Sequence, residues 1–305
     1  MTFGQPYVGT DHGPKLLRQA GLLEDLASIG WRVHDNGDIH IDTSERTPGN
    51  KDKTHNAKNS HIVGSGCELL SEAVIEAIKE DRFPLILGGD HSIGAGTMAG
   101  LLKARPNTGM IWVDAHADIN TPEMSQSGNL HGMPVGLLME GMVERNAMIP
   151  GFEWLDSEKM RDVRLNPDSI VYIGLRDIDA AEREVLRSKK IRCFTMYDVD
   201  RDGIGKVMEK ALDHLLQKDP LRPLHLSYDI DAVDPHIAQA TGTPVRGGLT
   251  YREAHFVAES AARSGNLASA EIVELNPTLS NDSEAAATVD LGLGLLTSLM
   301  GKSII

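Results

Sequence analysis

Aromatic residues are scarce, at 4% of 305 residues, so the core must rest on Ile, Leu, Val, Ala and Met. Cysteine is scarcer. There are two, Cys67 and Cys193, and neither lies in a CxxC. Two cysteines make no disulfide framework, and a reducing compartment is the default. Basic charge is also short. Lys and Arg number 30 against 44 Asp and Glu, a net charge of -14 that excludes a nucleic-acid binder working through a basic face. No stretch approaches the roughly 18 consecutive apolar residues of a membrane span. The opening MTFGQPYVGTDHG has neither an apolar h-region nor an Arg-rich transit pattern. A cytoplasmic protein with no membrane partner is therefore expected. Asn281-Asp-Ser is a glycosylation sequon on paper, but no signal peptide supports secretion.

What is present alternates. Hydrophobic content is 41% and charged content 24%, as in a folded globular protein. Short apolar runs at 84–89, 110–116, 169–177, 191–196, 224–231 and 268–276 read as buried strands. Between them, 67–81, 180–189, 205–217 and 250–264 read as helices, the last with Thr250 as cap and Glu253 completing a capping box. Continuous apolar strands alternating with helices predict α/β architecture, a mainly parallel sheet flanked by helices on both faces. The alternation runs end to end without a linker, so residues 1–305 are expected to form a single domain. Residues 44–60 are polar and turn-rich and read as a surface loop. Gly301-Lys302-Ser303 and Gly64-Ser-Gly66, the latter placed before a helix, are weak phosphate-loop candidates better read as turn punctuation.

The chemistry collects where strands should end. "IWVDAHADIN" (111–120) delivers Asp114, His116 and Asp118 at two-residue spacing, which in an extended segment puts them on one face. Converging carboxylates repel unless a cation lies between them. The first strand ends in Gly88-Gly89-Asp90-His91, the fifth in Asp229 and Asp231, the sixth in Glu274. Open α/β sheets bind ligands beyond the carboxyl ends of their strands. Few Lys or Arg residues flank these segments, and buried carboxylates are costly unless paired or metal-bound. Two imidazoles and four carboxylates, from His91, Asp114, His116, Asp118, Asp229 and Asp231, suffice for two metals. The oxygen-rich donor set suits Mn²⁺. Such a pair can hold a bridging hydroxide at neutral pH, a hydrolase's nucleophile. Any one of these residues alone would be an ordinary cap or surface group. Asp234, out of phase and before Pro235, reads as a turn residue.

"GGDHSIG", "WVDAHADINTPEMSQSGNLHGMP" and "SYDIDAVDP…ATGTPV" resemble the signature blocks of the ureohydrolases, and specifically of the arginase family. "GQPYVGTDHGP", "VYIGLRDID", "GGLTYREA" and "EIVELNPTL" extend the resemblance over most of the chain. The resemblance implies an arginase-like three-layer α/β/α fold and two Mn²⁺ per subunit. His91, Asp114, Asp118 and Asp229 would hold the deeper ion. Asp114, His116, Asp229 and Asp231 would hold the second, and Asp118 would also orient the bridging hydroxide. It implies hydrolysis of L-arginine to L-ornithine and urea. Asn120, Ser127 and Asn129 would read the substrate α-carboxylate, and Asp179 and Glu182 the α-amino group. Glu274, with Thr243 near it, would receive the guanidinium, and His131 would shuttle protons. Arg252 and Glu253 match an inter-subunit ion pair of trimeric arginases, which implies a homotrimer, with a hexamer as the larger alternative. Ala232 stands where animal arginases commonly have Gly, and Asp11-His12 where many have two acidic residues. Three rivals stand beside this reading, of which a deacetylase on a related fold conflicts with the two-metal ligand set and with Glu274. An agmatinase-type relative would keep the metal site but leave Asn120, Ser127 and Asn129 without a role. A catalytically silent metal-binding protein should have lost a ligand, His131 or Glu274.

Overall fold

Strands rich in Ile, Val and Leu, with both faces apolar, must be covered on both sides. The computed structural model, which describes residues 1–43, 55–144 and 149–303, meets that requirement with six parallel strands. In chain order these are β1 (Leu85–Leu87), β2 (Gly109–Val113), β3 (Ile170–Leu175), β4 (Arg192–Thr195), β5 (Leu224–Asp229) and β6 (Leu267–Val273). The helices are α1 (Gly13–Gln19), α2 (Leu22–Ser28), α3 (Ser60–Lys79), α4 (Gly94–Ala104), α5 (Pro134–Leu138), α6 (Ala180–Ser188), α7 (Met196–Asp202), α8 (Ile204–Leu216), α9 (Tyr251–Arg263) and α10 (Asp282–Leu299). Alternate strand residues serve opposite faces. Ile111, Val113, Leu226, Tyr228 and Ile272 pack with α1, α2, α8, α9 and α10. Met110, Trp112, Tyr172 and Val273 pack with α3, α4 and α5.

The sheet order is β1-β6-β5-β2-β3-β4. From β2 the chain continues to β3 on one side, and from β5 to β6 on the other. The two central neighbours therefore diverge at their carboxyl ends, which is where an open α/β sheet makes its crevice. Register brings the chemistry level there. Val113 pairs with Tyr228, Tyr228 with Ile272, and Asp229 with Val273, so Asp114, Asp229 and Glu274 emerge within one residue of the same height.

Every predicted strand is present, but most end early. β2 stops at Val113 rather than 116, β5 at Asp229 rather than 231, β6 at Val273 rather than 276. The residues lost from the ladders are the polar ones, which turn out of the sheet. The predicted helices are present at 60–79, 180–188, 204–216 and 251–263, and Thr250 and Glu253 form the expected capping box. Gly64 and Gly66 lie inside α3, not before it. A Cβ at Gly64 would collide with the carbonyl of Gly151, so close packing, not a turn, uses that glycine. Gly301, at φ +97°, ends the chain's last helix. Asn281, the sequon residue, caps α10 by accepting from the Glu284 N–H at 3.0 Å. Of the predicted surface loop at 44–60, residues 44–54 lie outside the described residues, and α3 already begins at Ser60.

Candidate active site

One local device recurs at four strand ends. Asp90 accepts from the Ser92 N–H, Asp114 from His116, Asp229 from Asp231 and Asn276 from Thr278, at 2.7–3.2 Å. Each is an Asx turn, which Asp and Asn favour because a short side-chain oxygen can mimic a backbone carbonyl. The turns replace strand geometry, so the convergence of Asp114, His116 and Asp118 does not come from an extended backbone. Asp118 in fact has φ +49°, and Glu274 has φ +65°. Left-handed backbone in non-glycine residues is costly and concentrates at functional sites.

The convergence itself is tight. Nδ1 of His91 lies 3.1 Å from Asp114 Oδ2, 3.0 Å from Asp118 Oδ2 and 3.1 Å from Asp229 Oδ2. Nδ1 of His116 lies 3.1 Å from Asp231 Oδ2 and 3.4 Å from Asp114 Oδ1. Two triads result, His91–Asp114–Asp229 and Asp114–His116–Asp231, each compact enough for one ion. Asp114 is shared, one oxygen to each. Asp118 joins the first through its 3.0 Å approach to His91. Asp229 enters the first triad through Oδ2, while its Oδ1 accepts from the Asp231 N–H at 2.8 Å.

A single histidine proton cannot satisfy three carboxylates. Moreover, Nε2 of His91 lies 2.8 Å from Ser227 Oγ, and that hydroxyl donates to Glu271 Oε1 at 2.7 Å. With its own hydrogen committed, Ser227 must accept from His91. In the neutral ring the proton is therefore on Nε2, and the Nδ1 lone pair faces three carboxylates, fully buried and without a hydrogen bond among the described residues. A cation between Nδ1 and the three carboxylates resolves this. Without such a cation, the crowding favours protons on the cluster. Burial, then the charges of Asp231 and Asp114, push Asp229 well above the ordinary carboxylate range. Burial, then Asp114, lift Asp118 to about 6. Burial disfavours a charged His91, yet its contacts with Asp114, Asp118 and Asp229 raise it well above the ordinary imidazole value. The donor set, oxygen-rich with one imidazole per triad, fits two hard or borderline divalent cations.

The sequence reading missed the ring of groups behind the ligands. Ser227 and Glu271 are cross-strand partners, as are His225 and Ser269, and all four are fully buried. Thr97 of α4 closes this polar ladder by donating to Glu271 Oε2 at 2.6 Å. The signal was available as polar residues at every second position of "LHLSYD" and "LASAEIV". Trp112 stacks on the His91 ring at a centroid distance of 4.1 Å and donates to Asp114 Oδ2 at 3.0 Å. Arg176 is one cation that does approach the carboxylates. Its guanidinium, however, donates to the carbonyls of Gly174, Asp231, Ala232 and Val245, and so braces the loop that bears Asp231 and Thr243.

Glu274, 1% exposed, stands against this centre. Its Oε1 accepts from the His91 backbone N–H at 2.8 Å and lies 3.2 Å from His131 Nδ1. Burial works against a charged His131, but the bond to Glu274 raises its pKa above the ordinary imidazole value. Thr243 donates to the ligand Asp231 at 2.9 Å. Asn120 donates to Asp179 at 3.2 Å, and its Oδ1 is buried without a partner among the described residues. Ser127 is exposed and accepts from the Asn129 N–H, while Asn129 Oδ1 accepts from Lys58 Nζ at 2.9 Å, a cation absent from the sequence reading. Glu182 is placed differently from its neighbours. It is 5% exposed, and its oxygens accept from the N–H groups of Asp179 and Ile119, capping α6 and fixing the loop after Asp118. Arg252 and Glu253 are engaged within α9, Arg252 with Glu259 at 3.1 Å and Glu253 with Thr250 at 2.8 Å.

A parallel sheet whose switch point gathers two imidazoles and several carboxylates, with Asp114 common to both triads, has the form of a metallohydrolase site. Comparison with protein families matches residues 1–301 to the Arginase family. The chain is 42% identical over 302 residues to an arginase of Glaciozyma antarctica, covering 99% of this chain and 86% of that one. It is 43% identical over 303 residues to human "Arginase-2, mitochondrial", covering 98% and 82%. The native arginase structure from Bacillus caldovelox superposes with a TM-score of 0.88 at 38% identity, covering 100% of this chain and 97% of that one. The chain belongs to the arginase family.

Proposed function

We propose that this protein hydrolyses L-arginine to L-ornithine and urea, with residues 1–305 acting as one domain. The observation that carries the reading is the position of Glu274. It is tied to the backbone of ligand His91 at 2.8 Å and to His131 at 3.2 Å, so one carboxylate joins the metal shell to the proton carrier. His91, Asp114, Asp118 and Asp229 would hold one divalent ion, and Asp114, His116, Asp229 and Asp231 the other. Two Mn²⁺ ions there would supply Lewis acidity and a hydrolytic nucleophile at neutral pH. The residues do the rest. Glu274 binds the guanidinium by charge-assisted hydrogen bonding and presents its carbon to the metal side. Asp118 orients the attacking water by accepting its hydrogen. His131 delivers a proton to the nitrogen that departs as the C–N bond breaks. Thr243 steadies Asp231.

At the other end of the substrate, Asn120, Ser127 and Asn129 would take the α-carboxylate, with Lys58 adding charge beside Asn129. Asp179 would take the α-amino group, and Glu182 would act through it as the helix cap. A carboxylate-reading end favours arginine over agmatine. Among the described residues no helix is long and apolar enough to cross a membrane. The two unpaired thiols suit a reducing cytoplasm. A homotrimer with Arg252 and Glu253 at its interface, or a hexamer built from it, completes the reading. A monomeric mass by light scattering would remove that part.

Urea release from L-arginine and from agmatine, after Mn²⁺ incubation and after chelation, tests the whole. Metal-dependent turnover of arginine alone is expected. Preference for agmatine would overturn the substrate, and no turnover with metal bound would favour a silent scaffold.

A further inference from the structure

Glu274 is nearly full before any substrate arrives. A carboxylate offers about four lone-pair positions. Oε1 already faces the His91 N–H and His131 Nδ1, and Oε2 accepts from Gln5 Nε2 at 2.9 Å. One position remains, whereas a guanidinium edge presents two parallel N–H groups. The missing acceptor is one carboxamide away. Gln5 is 6% exposed, and its Oε1 is buried with no hydrogen-bond partner among the described residues. Its orientation is fixed, because a flipped amide would set oxygen against the Glu274 carboxylate. A buried, unpartnered acceptor is costly and calls for a donor.

From this we infer that Gln5 is a substrate-positioning residue, orienting Glu274 through Nε2 and accepting a guanidinium N–H through Oε1. The inference rests on the reading that Glu274 receives the guanidinium. The surrounding chain holds Gln5 for the purpose. The Gly4 N–H donates to Asp90 Oδ2 at 3.1 Å, and the Gly4 carbonyl accepts from the His131 N–H at 3.0 Å. The segment bearing Gln5 is thus clamped to the loops of the first metal ligand and of His131. Opposite, Gly242 leaves room for Oε1, since a Cβ there would stand 2.5 Å from it. Amide chemistry is required at this position. A second carboxylate would repel Glu274, and an ammonium would have no lone pair for the substrate.

Gln5→Leu removes both contacts. Gly242→Ala leaves the amide intact and displaces its oxygen, so it serves where Gln5→Leu fails to fold. Both would be studied as metal-loaded enzymes of matched metal content. The readouts are kcat and KM for L-arginine and the inhibition constant of L-ornithine, which shares the α-carbon end and lacks the guanidinium. In each variant the arginine KM should rise about 10- to 100-fold, the range for a hydrogen bond to a charged group, while ornithine binding stays nearly constant. Equal weakening of arginine and ornithine would reduce Gln5 to a structural strut and overturn the inference. An unchanged arginine KM in both variants would also overturn it while leaving the arginase reading intact. Failure of the unmodified enzyme to turn over arginine at all would remove both.

Discussion

Ser227 fixes which nitrogen of His91 faces the carboxylates. Its hydroxyl is 2.8 Å from Nε2 and gives its own hydrogen to Glu271, so the imidazole can only donate on that side. A residue with no access to the ligand sphere thereby prepares the lone pair that would bind the ion. Outer partners of this kind set tautomer and ring orientation in metal sites generally.

Ser227→Ala should therefore weaken metal binding roughly 10- to 100-fold, the usual cost of losing such a partner. Ser227→Thr, which keeps the hydroxyl, should recover most of it. Competition against a chelating dye measures both. Equal affinities for the alanine variant and the unmodified protein would contradict the tautomer argument.

Metal stoichiometry should separate the shared ligand from the unshared ones. Asp114 gives one oxygen to each triad, whereas His116 belongs to one. Asp114→Asn is expected to deplete both ions and His116→Ala only one. Elemental analysis after gel filtration decides. Identical losses would show that the sites fill as a unit.

The His131 side chain lies 3.2 Å from Glu274 and belongs to neither triad. His131→Ala should lower kcat about 10²- to 10⁴-fold, as for loss of a general acid, with little change in metal content. Turnover at the unmodified rate would take His131 out of the mechanism.

Glu182 gives a pH signature. Burial raises its pKa from 4.5 to about 7, against the backbone N–H of Asp179, with the Asp118 charge adding to the rise. A raised acid pKa stabilises the fold fully below the unfolded value and loses that stabilisation as pH rises through the folded one. The unmodified protein should lose stability from this group between about pH 4.5 and 7. Glu182→Gln removes the titration. Whatever its constant cost, its stability relative to the unmodified protein should improve as pH rises through this window, as read by denaturant unfolding. A pH-independent difference would show that Glu182 titrates normally.

The six strands and the ligand types were legible in the sequence, because continuous apolar runs and recurrent Asp and His at their ends are local patterns. Six of the ten helices among the described residues were not, α4 and α10 being the longest of them. α4 and α10 carry glycines that argue locally against a helix. Gly96 and Gly100 are there because a Cβ would collide with the Cys67 and Ser71 carbonyls of α3, a requirement set by another helix. Gln5, Ser227 and Glu271 were missed for a similar reason. Ser227 and Glu271 show in sequence only as polar positions alternating along apolar strands, and the role of each of the three needs a partner 44 to 269 residues away.

By itself, then, the sequence determined the alternation of strand and helix, the oxygen-rich donor set and the resemblance to a family, since these depend on residue type and short spacing. It did not determine how the donors meet. Asp114 and His116 are joined by an Asx turn rather than a strand, and Asp118 arrives through left-handed backbone. Which carboxylate is shared, which way His91 points its lone pair and how full Glu274 already is were decided by tertiary structure. Those properties are set by strand register and by buried hydrogen bonds between distant segments, which exist only once the sheet has assembled.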